Sequence, residues 1–551
     1  MATDDLRRLA ETWLADDPDP AGRYEILQLL DRLSDSAAEA ELADRFAGPL
    51  TFGTAGLRGR LRAGPNGMNL AVVTRAAAGL VGWLGEQGGQ GPLVIGYDAR
   101  HGSREFAEQT ARVATGAGRD ALVLPRPLPT PVLAYAVRML DAVAGVMVTA
   151  SHNPPQDNGY KVYLGAALGG PGGSGAQIVP PADAGIEAAI QAVGPLAAVP
   201  LGDPGTVLAE AVIQGYVDSA AAVVTSGPRD LRVAYTPLHG VGGQVLVAAF
   251  ARAGFTEPDV VAEQAEPDPE FPTVAFPNPE EPGAMDLLLG LAARVEADLA
   301  IANDPDADRC AVAIRAPGPS GWRALSGDEL GILLADHLIR RGTAGVYATT
   351  IVSSTLLKAL CAARGVPYAE TLTGFKWIVR GAEKLAYGYE EALGYCVAPD
   401  LVRDKDGITA ALTIAEVAAA LKAEGRSLGD RLAELDAEFG VHRTGQLSMR
   451  VEDLTEITRS MALVRGNPPA TLLGDEVTAV EDRLPEADVL TLRTARARVV
   501  IRPSGTEPKL KAYLEVVQPV TDGDVAGARE AAAMALEEGL RPEIAAALGL
   551  A

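Results

Sequence analysis

A strand–helix–strand unit recurs three times along the chain, and this repetition limits the possible folds more than any other feature of the sequence. Each unit opens with a short apolar segment typical of a buried strand, continues with a helical stretch and closes with a second short strand. Strands that alternate with helices predict α/β domains with mixed or mainly parallel sheets. The opening strands are expected at residues 93–97, 231–235 and 345–350, and the closing strands at 121–124, 259–262 and 366–369.

The two ends of the chain depart from this unit. The first 45 residues read as an amphipathic helical lead. After about residue 440 shorter strands follow near Arg450, at 489–491 and at 498–501, and then a helix from Val525. We therefore predict an α/β protein with three related α/β domains, whose sheets are mixed, and a smaller C-terminal α+β domain. The expected boundaries are 1–45 for the helical lead, 46–205, 206–318 and 319–440 for the three α/β domains, and 441–551 for the last domain.

The net charge of −24 over 551 residues argues against nucleic acid and anionic membrane surfaces as partners, because either would be repelled. The N-terminus is acidic, unlike a secretory signal, and no window offers the run of about 18 apolar residues that a membrane span needs. Cys310, Cys361 and Cys396 are scattered and lack the spacing of a zinc knuckle or a redox pair. A soluble protein of the reducing cytoplasm is expected, and its oligomeric state is left open.

One serine lies in a turn that directly follows an apolar segment and that cannot continue a strand. Ser151 follows that segment, and Pro154 and Pro155 remove two backbone donors directly after it. His152 and Lys161 lie in the same short loop, which suits a hydroxyl that carries a reactive group beside partners for proton transfer and charge stabilisation. The alternative for such a pair is ordinary turn or capping chemistry.

Three carboxylates alternate in a loop after a second apolar strand, at residues 297–302. Asp304, Asp306 and Asp308 offer the clustered hard oxygen ligands that Mg²⁺ prefers. A solvated acidic loop is the alternative for this pattern alone.

A turn near the C-terminus combines cationic and hydroxyl groups with a glycine. It contains Arg502, Ser504, Gly505, Thr506 and Lys509. Such a turn can cradle a phosphate, because the glycine lets the backbone approach an anion closely. An ordinary polar turn is the alternative.

Residues 149–163 closely resemble the phosphoserine loop of the α-D-phosphohexomutases, the phosphoglucomutase and phosphomannomutase family. Residues 304–309 are similar to the family's metal loop, and residues 502–509 to its phosphate loop. Residues 53–59 and 389–395 resemble its N-terminal active-site motif and its sugar-binding loop. The motifs follow one another in the family's order. This resemblance implies that the four domains enclose a central cleft.

Site roles follow from the resemblance, position by position. In the family the serine matching Ser151 carries the exchanged phosphoryl group, and Mg²⁺ would bind a phosphoryl oxygen on it together with Asp304, Asp306 and Asp308. The resemblance further implies that Arg58 faces the cleft, that Arg309 orients the substrate, and that the loop like the glucomutase specificity loop contains Gly374, Phe375 and Lys376. A glutamate, Glu390 or Glu391 with Glu391 favoured, would accept hydrogen bonds from sugar hydroxyls. The non-reacting phosphate would be bound by Arg502, Ser504, Gly505, Thr506 and, less directly, Lys509.

Three positions depart from the family pattern. Pro305 stands where the family often has Gly, and Leu393 and Tyr395 stand where many hexomutases have Ser and His. Loss of those polar groups leaves the preferred sugar open.

The implied activity is a reversible exchange between sugar 1-phosphate and sugar 6-phosphate through a phosphoserine and a sugar bisphosphate, with glucose and mannose phosphates as the leading substrates. Lys161 and His152 are both candidates for handling the proton. A phosphopentomutase acting on ribose or deoxyribose phosphates is the alternative. A two-zinc phosphatase is disfavoured because the five histidines are dispersed. A silent sugar-phosphate sensor is disfavoured because the serine and all three aspartates are present.

Overall fold

The computed structural model describes residues 3–53, 56–225, 227–316, 321–451, 453–504 and 509–550. Three helices come first, α1 Thr3–Asp16, α2 Pro20–Asp31 and α3 Ser36–Arg45. Asp19 and Asp35 accept hydrogen bonds from the first amides of α2 and α3, which explains where those helices begin. The three helices have an apolar core of their own, and an ion pair of 2.8 Å between Arg75 and Asp16 attaches them to the first α/β unit.

The first α/β unit contains a seven-stranded mixed sheet with helices on both faces. Its elements are β1 Leu57–Arg60, α4 Leu70–Glu86, β2 Leu93–Tyr97, α5 Ser103–Gly116, β3 Ala121–Val123, α6 Thr130–Met139, β4 Ala144–Val148, β5 Asp157–Leu164, α7 Ala166–Gly169, β6 Ala176–Gln177, α8 Ala182–Gln191 and β7 Thr206–Val207. The strand order is β1-β5-β4-β2-β3-β7, and β6 pairs with β5.

The second unit is smaller and repeats the same arrangement. Its elements are α9 Ala211–Ala221, β8 Val233–Thr236, α10 Gly243–Arg252, β9 Asp259–Val260, α11 Asp286–Arg294, β10 Leu299–Ala302, β11 Ala311–Arg315 and β12 Trp322–Ala324. The order is β12-β11-β10-β8-β9. The closing strand expected at 259–262 is shorter than predicted, because a 3₁₀ turn begins at Ala262.

The third unit has four strands in the order β14-β13-β15-β16. Its elements, in chain order, are α12 Gly327–Arg340, β13 Val346–Thr350, α13 Leu356–Arg364, β14 Tyr368–Thr371, α14 Phe375–Ile378, β15 Leu385–Glu390, β16 Gly394–Cys396, α15 Gly407–Ala423 and α16 Leu428–Phe439.

The C-terminal domain is built differently, on a wholly antiparallel sheet with the order β17-β23-β22-β21-β20. Its elements are β17 Val441–Arg450, α17 Leu454–Gly466, β18 Thr471–Leu472, β19 Asp475–Glu476, β20 Ala479–Asp482, β21 Leu490–Arg493, β22 Ala497–Pro503, β23 Lys509–Gln518, α18 Val525–Met534 and α19 Arg541–Ala547. This domain has a separate apolar core, whereas one continuous core links parts of the three α/β units. The predicted fold class is confirmed.

The three α/β units place one loop each at an equivalent position. In each sheet the strand that precedes the loop, β4, β10 or β15, runs parallel to the central strand and pairs on its other side with an antiparallel strand. The carboxyl ends of these strands lead to Ser151, to Asp304 and to Glu391. Ligands of open α/β sheets bind at this edge.

Among the described residues, no helix combines the length and the apolar character that crossing a lipid bilayer requires.

Candidate active site

The serine of the first unit and the aspartates of the second unit meet in the interior of the molecule. Ser151 Oγ donates a hydrogen bond of 2.8 Å to Asp304 Oδ2, although 153 positions separate the two residues. From β5, Lys161 Nζ donates to Asp306 Oδ2 at 2.7 Å and to Asp308 Oδ2 at 3.1 Å. The structure therefore brings the predicted serine, lysine and acidic residues into direct contact.

The backbone of Ser151 is strained in a way that suits a functional position. Its φ of 53° lies in the left-handed region, which non-glycine residues seldom adopt. The amide of Ser151 donates to Thr149 Oγ1 at 2.9 Å, and this bond helps to hold the turn.

Arg100 holds the loop that contains Ser151 through hydrogen bonds to its backbone. Its guanidinium donates to four backbone carbonyls of the loop, and Asp98 lies 3.4 Å from its Nε. The distances are 2.7 Å to Ser151, 2.6 Å to Asn153, 2.8 Å to Pro154 and 3.2 Å to Asp157. The sequence analysis did not select Arg100 or connect it with the serine. The Asp98-Ala99-Arg100 string at the end of β2 is the local signal.

The three aspartates fit a divalent cation. All three side chains are fully buried, and one oxygen from each can be chosen so that the three lie within 4.8 Å of one another. Asp306 Oδ1 and Asp308 Oδ1 are buried without a hydrogen-bond partner in the described part of the chain. Burial and the neighbouring Asp306 and Asp308 carboxylates raise the pKa of Asp304 well above its usual value. Hard oxygen donors with excess negative charge are the donor set of Mg²⁺.

Two buried lysines balance part of this charge. Burial opposes the charged form of Lys161, but Asp306 and Asp308 outweigh burial and raise the pKa of Lys161. Lys405 Nζ lies 3.4 Å from Asp308 Oδ2, and in the same way its pKa is raised against burial, chiefly by Asp308. Sequence reasoning missed Lys405. Its signal is the charged string Asp404-Lys405-Asp406 before a helix, but only the tertiary fold brings it to the aspartates.

His152 and Arg58 flank the serine. His152 Nδ1 lies 3.3 Å from Ser151 Oγ, and Arg58 donates to Asn153 Oδ1 at 3.0 Å. Burial, together with the cationic Arg309 and Arg58, lowers the pKa of His152 well below its usual value. His152 is therefore a neutral imidazole near the hydroxyl.

Arg309 connects the acidic loop with the rest of the cleft. Its amide donates to Asp304 Oδ1 at 3.0 Å, and its Nε lies 3.9 Å from carboxylate oxygens of both Asp304 and Asp308. Its NH1 lies 3.6 Å from Glu280, an acidic residue that sequence reasoning did not select. A backbone bridge from Arg309 to Gly394 joins this loop to the turn that contains the glutamates.

The two adjacent glutamates have different surroundings. Glu391 Oε2 accepts from Ser353 Oγ at 2.8 Å and from Thr350 Oγ1 at 3.3 Å. Burial, and next the adjacent Glu390, raises the pKa of Glu391 to about 7. Burial also raises the pKa of Glu390, and the nearby Lys405 partly opposes this shift. Glu390 thus lies near Lys405 and the acidic loop, whereas Glu391 is held by hydroxyl groups of the third unit.

The segment that resembles a specificity loop lies beside Lys405. Gly374 has a φ of 107°, Phe375 is buried, and Lys405 Nζ lies 5.7 Å from the centre of the Phe375 ring. Burial lowers the pKa of Lys376 to about 8, and the nearby Arg502 adds to this shift. Arg380 lowers this pKa in the same sense, and Asp183 opposes the shift.

The C-terminal phosphate loop connects β22 to β23. Arg502 lies at the end of β22, and the Ser504 amide donates to the Lys509 carbonyl at 2.7 Å, which closes the hairpin. The predicted binders Gly505 and Thr506 lie outside the described residues.

The departures from the expected pattern are occupied by buried side chains. Leu393 is buried with a φ of 62°, and the Tyr395 hydroxyl donates to the Gly327 carbonyl at 3.2 Å. The Pro305 carbonyl accepts from the Val241 amide at 2.8 Å, so the acidic loop is braced by the segment after β8.

The chain is similar in sequence to proteins of a known family. Four family models match the chain: "Phosphoglucomutase/phosphomannomutase, alpha/beta/alpha domain I" at residues 49–195, domain II at 214–318, domain III at 326–439, and the C-terminal domain at 450–532. Over 458 residues the chain is 46% identical to a "Probable phosphomannomutase" of Haemophilus influenzae, covering 82% of this chain and 93% of that protein. Over 563 residues it is 34% identical to a phosphopentomutase of Pongo abelii, covering 90% of each.

A solved structure has the same overall fold. It is a phosphoglucomutase/phosphomannomutase family protein from Burkholderia thailandensis, with a TM-score of 0.65 and 20% sequence identity over 88% of this chain and 96% of that one.

Proposed function

The chain belongs to the phosphoglucomutase/phosphomannomutase family, and we propose that it interconverts the 1- and 6-phosphates of a hexose through a phosphorylated Ser151 and a sugar bisphosphate. As a member of this family it is an isomerase that moves a phosphoryl group within a phosphosugar. The three cysteines are buried thiols, which fits the cytoplasm as the proposed location.

The observation that carries this proposal is the contact of the Ser151 hydroxyl with Asp304, 2.8 Å away, beside Lys161 and His152. A phosphoryl group on Ser151 would have anionic oxygens next to the three aspartates, so a cation is needed between them. The partnerless oxygens of Asp306 and Asp308 are available for it.

In the first half-reaction the 6-hydroxyl of a sugar 1-phosphate attacks the phosphorus on Ser151. The bond from Ser151 Oγ to phosphorus breaks as the bond to the sugar oxygen forms, and the sugar hydroxyl loses its proton. His152 is a neutral acceptor near Ser151. Lys161 Nζ is charged while it is paired with Asp306 and Asp308, and it can accept a proton only when those carboxylates are neutralised.

In the second half-reaction the bisphosphate presents its other phosphate to Ser151. Oγ of Ser151 attacks the phosphorus at position 1, the bond to the sugar oxygen at that position breaks, and that oxygen regains a proton. The far phosphate is held by Arg502, Ser504, Gly505, Thr506 and Lys509, and the sugar lies between Glu390 and Glu391, with Arg309 and Gly374, Phe375 and Lys376 around it. Each phosphate position of the sugar is therefore placed at Ser151 in one half-reaction and at the C-terminal phosphate loop in the other.

Asp304, Asp306 and Asp308 would hold Mg²⁺, whose chemistry is to withdraw charge from the phosphoryl group in transfer. Arg58 faces the same group from the first unit and contributes positive charge. Water must be excluded from the phosphoserine, and the burial of Ser151 at 3% exposure serves that end.

The substrate is tested by comparing initial rates on the 1-phosphates of glucose, mannose, ribose and deoxyribose, with the matching bisphosphate supplied. We expect the highest kcat/KM on glucose or mannose 1-phosphate. A higher value on either pentose phosphate would make the chain a phosphopentomutase, as the relative from Pongo abelii is named. Release of inorganic phosphate at the rate of isomerisation would replace the mutase with a phosphatase.

The protonation of Lys376 is expected to set the upper pH limit of substrate binding. Its pKa of about 8 means that the side chain loses its positive charge as the pH rises through this value, which weakens the attraction for a phosphate beside Arg502. KM should therefore rise by up to about tenfold between pH 7.5 and 9.5, and Lys376→Met should have a high KM over this range with no such rise. Initial rates across this range measure the effect, and the exposed Lys384→Met is the matched control. A KM in Lys376→Met that still climbs with pH would contradict this role.

A further inference from the structure

Two charged side chains of the C-terminal sheet are buried at its contact with the third unit. Arg498 on β22 and Glu515 on β23 are register partners, with Arg498 Nε 3.0 Å from Glu515 Oε2. Their side chains are only 6% and 2% exposed. Burial opposes the charged form of Glu515, but Arg498 outweighs burial and lowers the pKa of Glu515 to about 2, so the pair is ionic. A buried ion pair is tolerated only when its hydrogen-bonding groups are used, so its remaining partners are informative.

Most of those partners belong to one loop of the third unit, residues 351–355, between β13 and α13. The others are His442 of β17, whose Nδ1 lies 3.1 Å from Glu515 Oε1, and Glu370 of β14, whose Oε1 lies 3.9 Å from Arg498 NH1. Arg498 donates to the Ile351 carbonyl at 3.1 Å and also to the Ser353 carbonyl. Glu515 Oε1 accepts from Ser354 Oγ at 2.8 Å and from the Thr355 amide at 2.7 Å. The pair therefore holds this loop from both ends.

Ser353 connects the loop to the glutamates of the cleft. Its carbonyl accepts from Arg498, and its hydroxyl donates to Glu391 Oε2 at 2.8 Å. Ser353 is fully buried, so water does not compete for these bonds. The position of the turn at Glu390 and Glu391 thus depends on where Arg498 holds Ser353.

The same two strands carry the phosphate loop. Arg502 lies four residues after Arg498, on the same face of β22, and pairs with Lys511 of β23 in the ladder. Because β22 and β23 form a continuous antiparallel ladder, the position of Arg502, where the phosphate loop begins, follows the point at which Arg498 and Glu515 are anchored.

We propose that Arg498 is a positioning residue that sets the distance between the phosphate loop and the sugar-binding turn, acting through Ser353 and Glu391. This inference rests on the proposed function, in which a sugar phosphate is held at both ends at once. Loss of the link should harm ligands that reach both anchors and spare a ligand that reaches only one.

The experiment compares Arg498→Lys, Ser353→Ala and the double variant with the parent enzyme. Arg498→Lys keeps the charge opposite Glu515 but cannot reach both carbonyls, and Ser353→Ala removes the hydroxyl bonds to Glu391 and to Thr350 Oγ1 but keeps the carbonyl that Arg498 contacts. We expect KM for the sugar 1-phosphate to rise about tenfold in each single variant, with kcat changed by less than about twofold. The double variant should resemble the single ones, because both changes break one link. The inhibition constant of inorganic phosphate, which needs only the phosphate loop, should stay unchanged.

Arg493→Lys is the matched control, because this residue of the same sheet is partly exposed and pairs with Glu481 at 3.2 Å. Thermal melting checks each variant, and if Arg498→Lys fails to fold, Ser353→Ala alone decides. The proposal is overturned if phosphate inhibition weakens as much as KM rises, if the two single effects multiply in the double variant, or if KM does not change. Failure of the proposed function would look different, since the parent enzyme would then show no isomerisation.

Discussion

Replacing Ser151 by alanine should lower isomerisation by about 10⁴-fold or more, even with sugar bisphosphate supplied, because the hydroxyl proposed to carry the phosphoryl between half-reactions is lost. The hydroxyl is placed 2.8 Å from Asp304 and close to His152, and no conservative replacement without an oxygen can form the ester. A coupled assay of sugar 6-phosphate formation measures the loss. Mass spectrometry of the intact protein should find one phosphoryl group on the parent enzyme and none on the variant.

Ser219→Ala is the matched control for this experiment. Ser219 is part-buried on α9, its hydroxyl donates to the Gly215 carbonyl, and it lies outside the proposed site. The control should keep both its turnover and its phosphoryl group. Turnover at the parent rate in Ser151→Ala would contradict the phosphoserine proposal.

Loss of the acidic site should have the second largest effect. Removing divalent cations with a chelator is expected to lower turnover by about 10³-fold and Mg²⁺ to restore it, whereas Asp304→Asn should stay inactive at any Mg²⁺ concentration. Turnover and thermal melting at pH 7, each with chelator and with Mg²⁺, measure the two parts of this prediction.

The same replacement should make the metal-free protein more stable. The raised pKa of Asp304 means that its contribution to stability is most favourable at low pH, where the carboxyl is protonated, and is lost as the pH rises from about 3.8 through the raised value. Asp304→Asn removes that buried charge, so its melting temperature in chelator should exceed the parent's. Mg²⁺ should raise the melting temperature of the parent and have less effect on the variant.

The control here is Asp230→Asn, a carboxylate of the same unit that is 94% exposed. It should change neither turnover nor the response to Mg²⁺. A parent enzyme that turns over at full rate in chelator would exclude the metal role of the three aspartates.

Local sequence was enough to predict the serine and the aspartates that the structure brings together, because each lies in a loop that an apolar strand introduces. Ser151 and Asp304 both follow such strands, and the alternation of strands with helices implied that these loops could share one edge. The units were predictable for the same reason, since buried parallel strands read as short apolar runs.

The supporting residues could not be found in this way, because their partners are remote in sequence. Arg100 acts on carbonyls 51 to 57 positions away, and Arg498 on carbonyls 145 and 147 positions away. Lys405 lies beside Gly394, where a Cβ atom would come within 2.4 Å of the lysine side chain. Such relations depend on strand register and close approach between loops, which neither composition nor periodicity contains.

All three α/β units carry their candidate site loops at the carboxyl ends of equivalent strands, so none of these loops lies at the opposite edge of its sheet. Gln90, before β2, and Ala344, before β13, lie on that edge and are exposed. A pair of fluorophores attached there would report whether the spacing of the first and third units changes during turnover, while leaving the candidate site untouched.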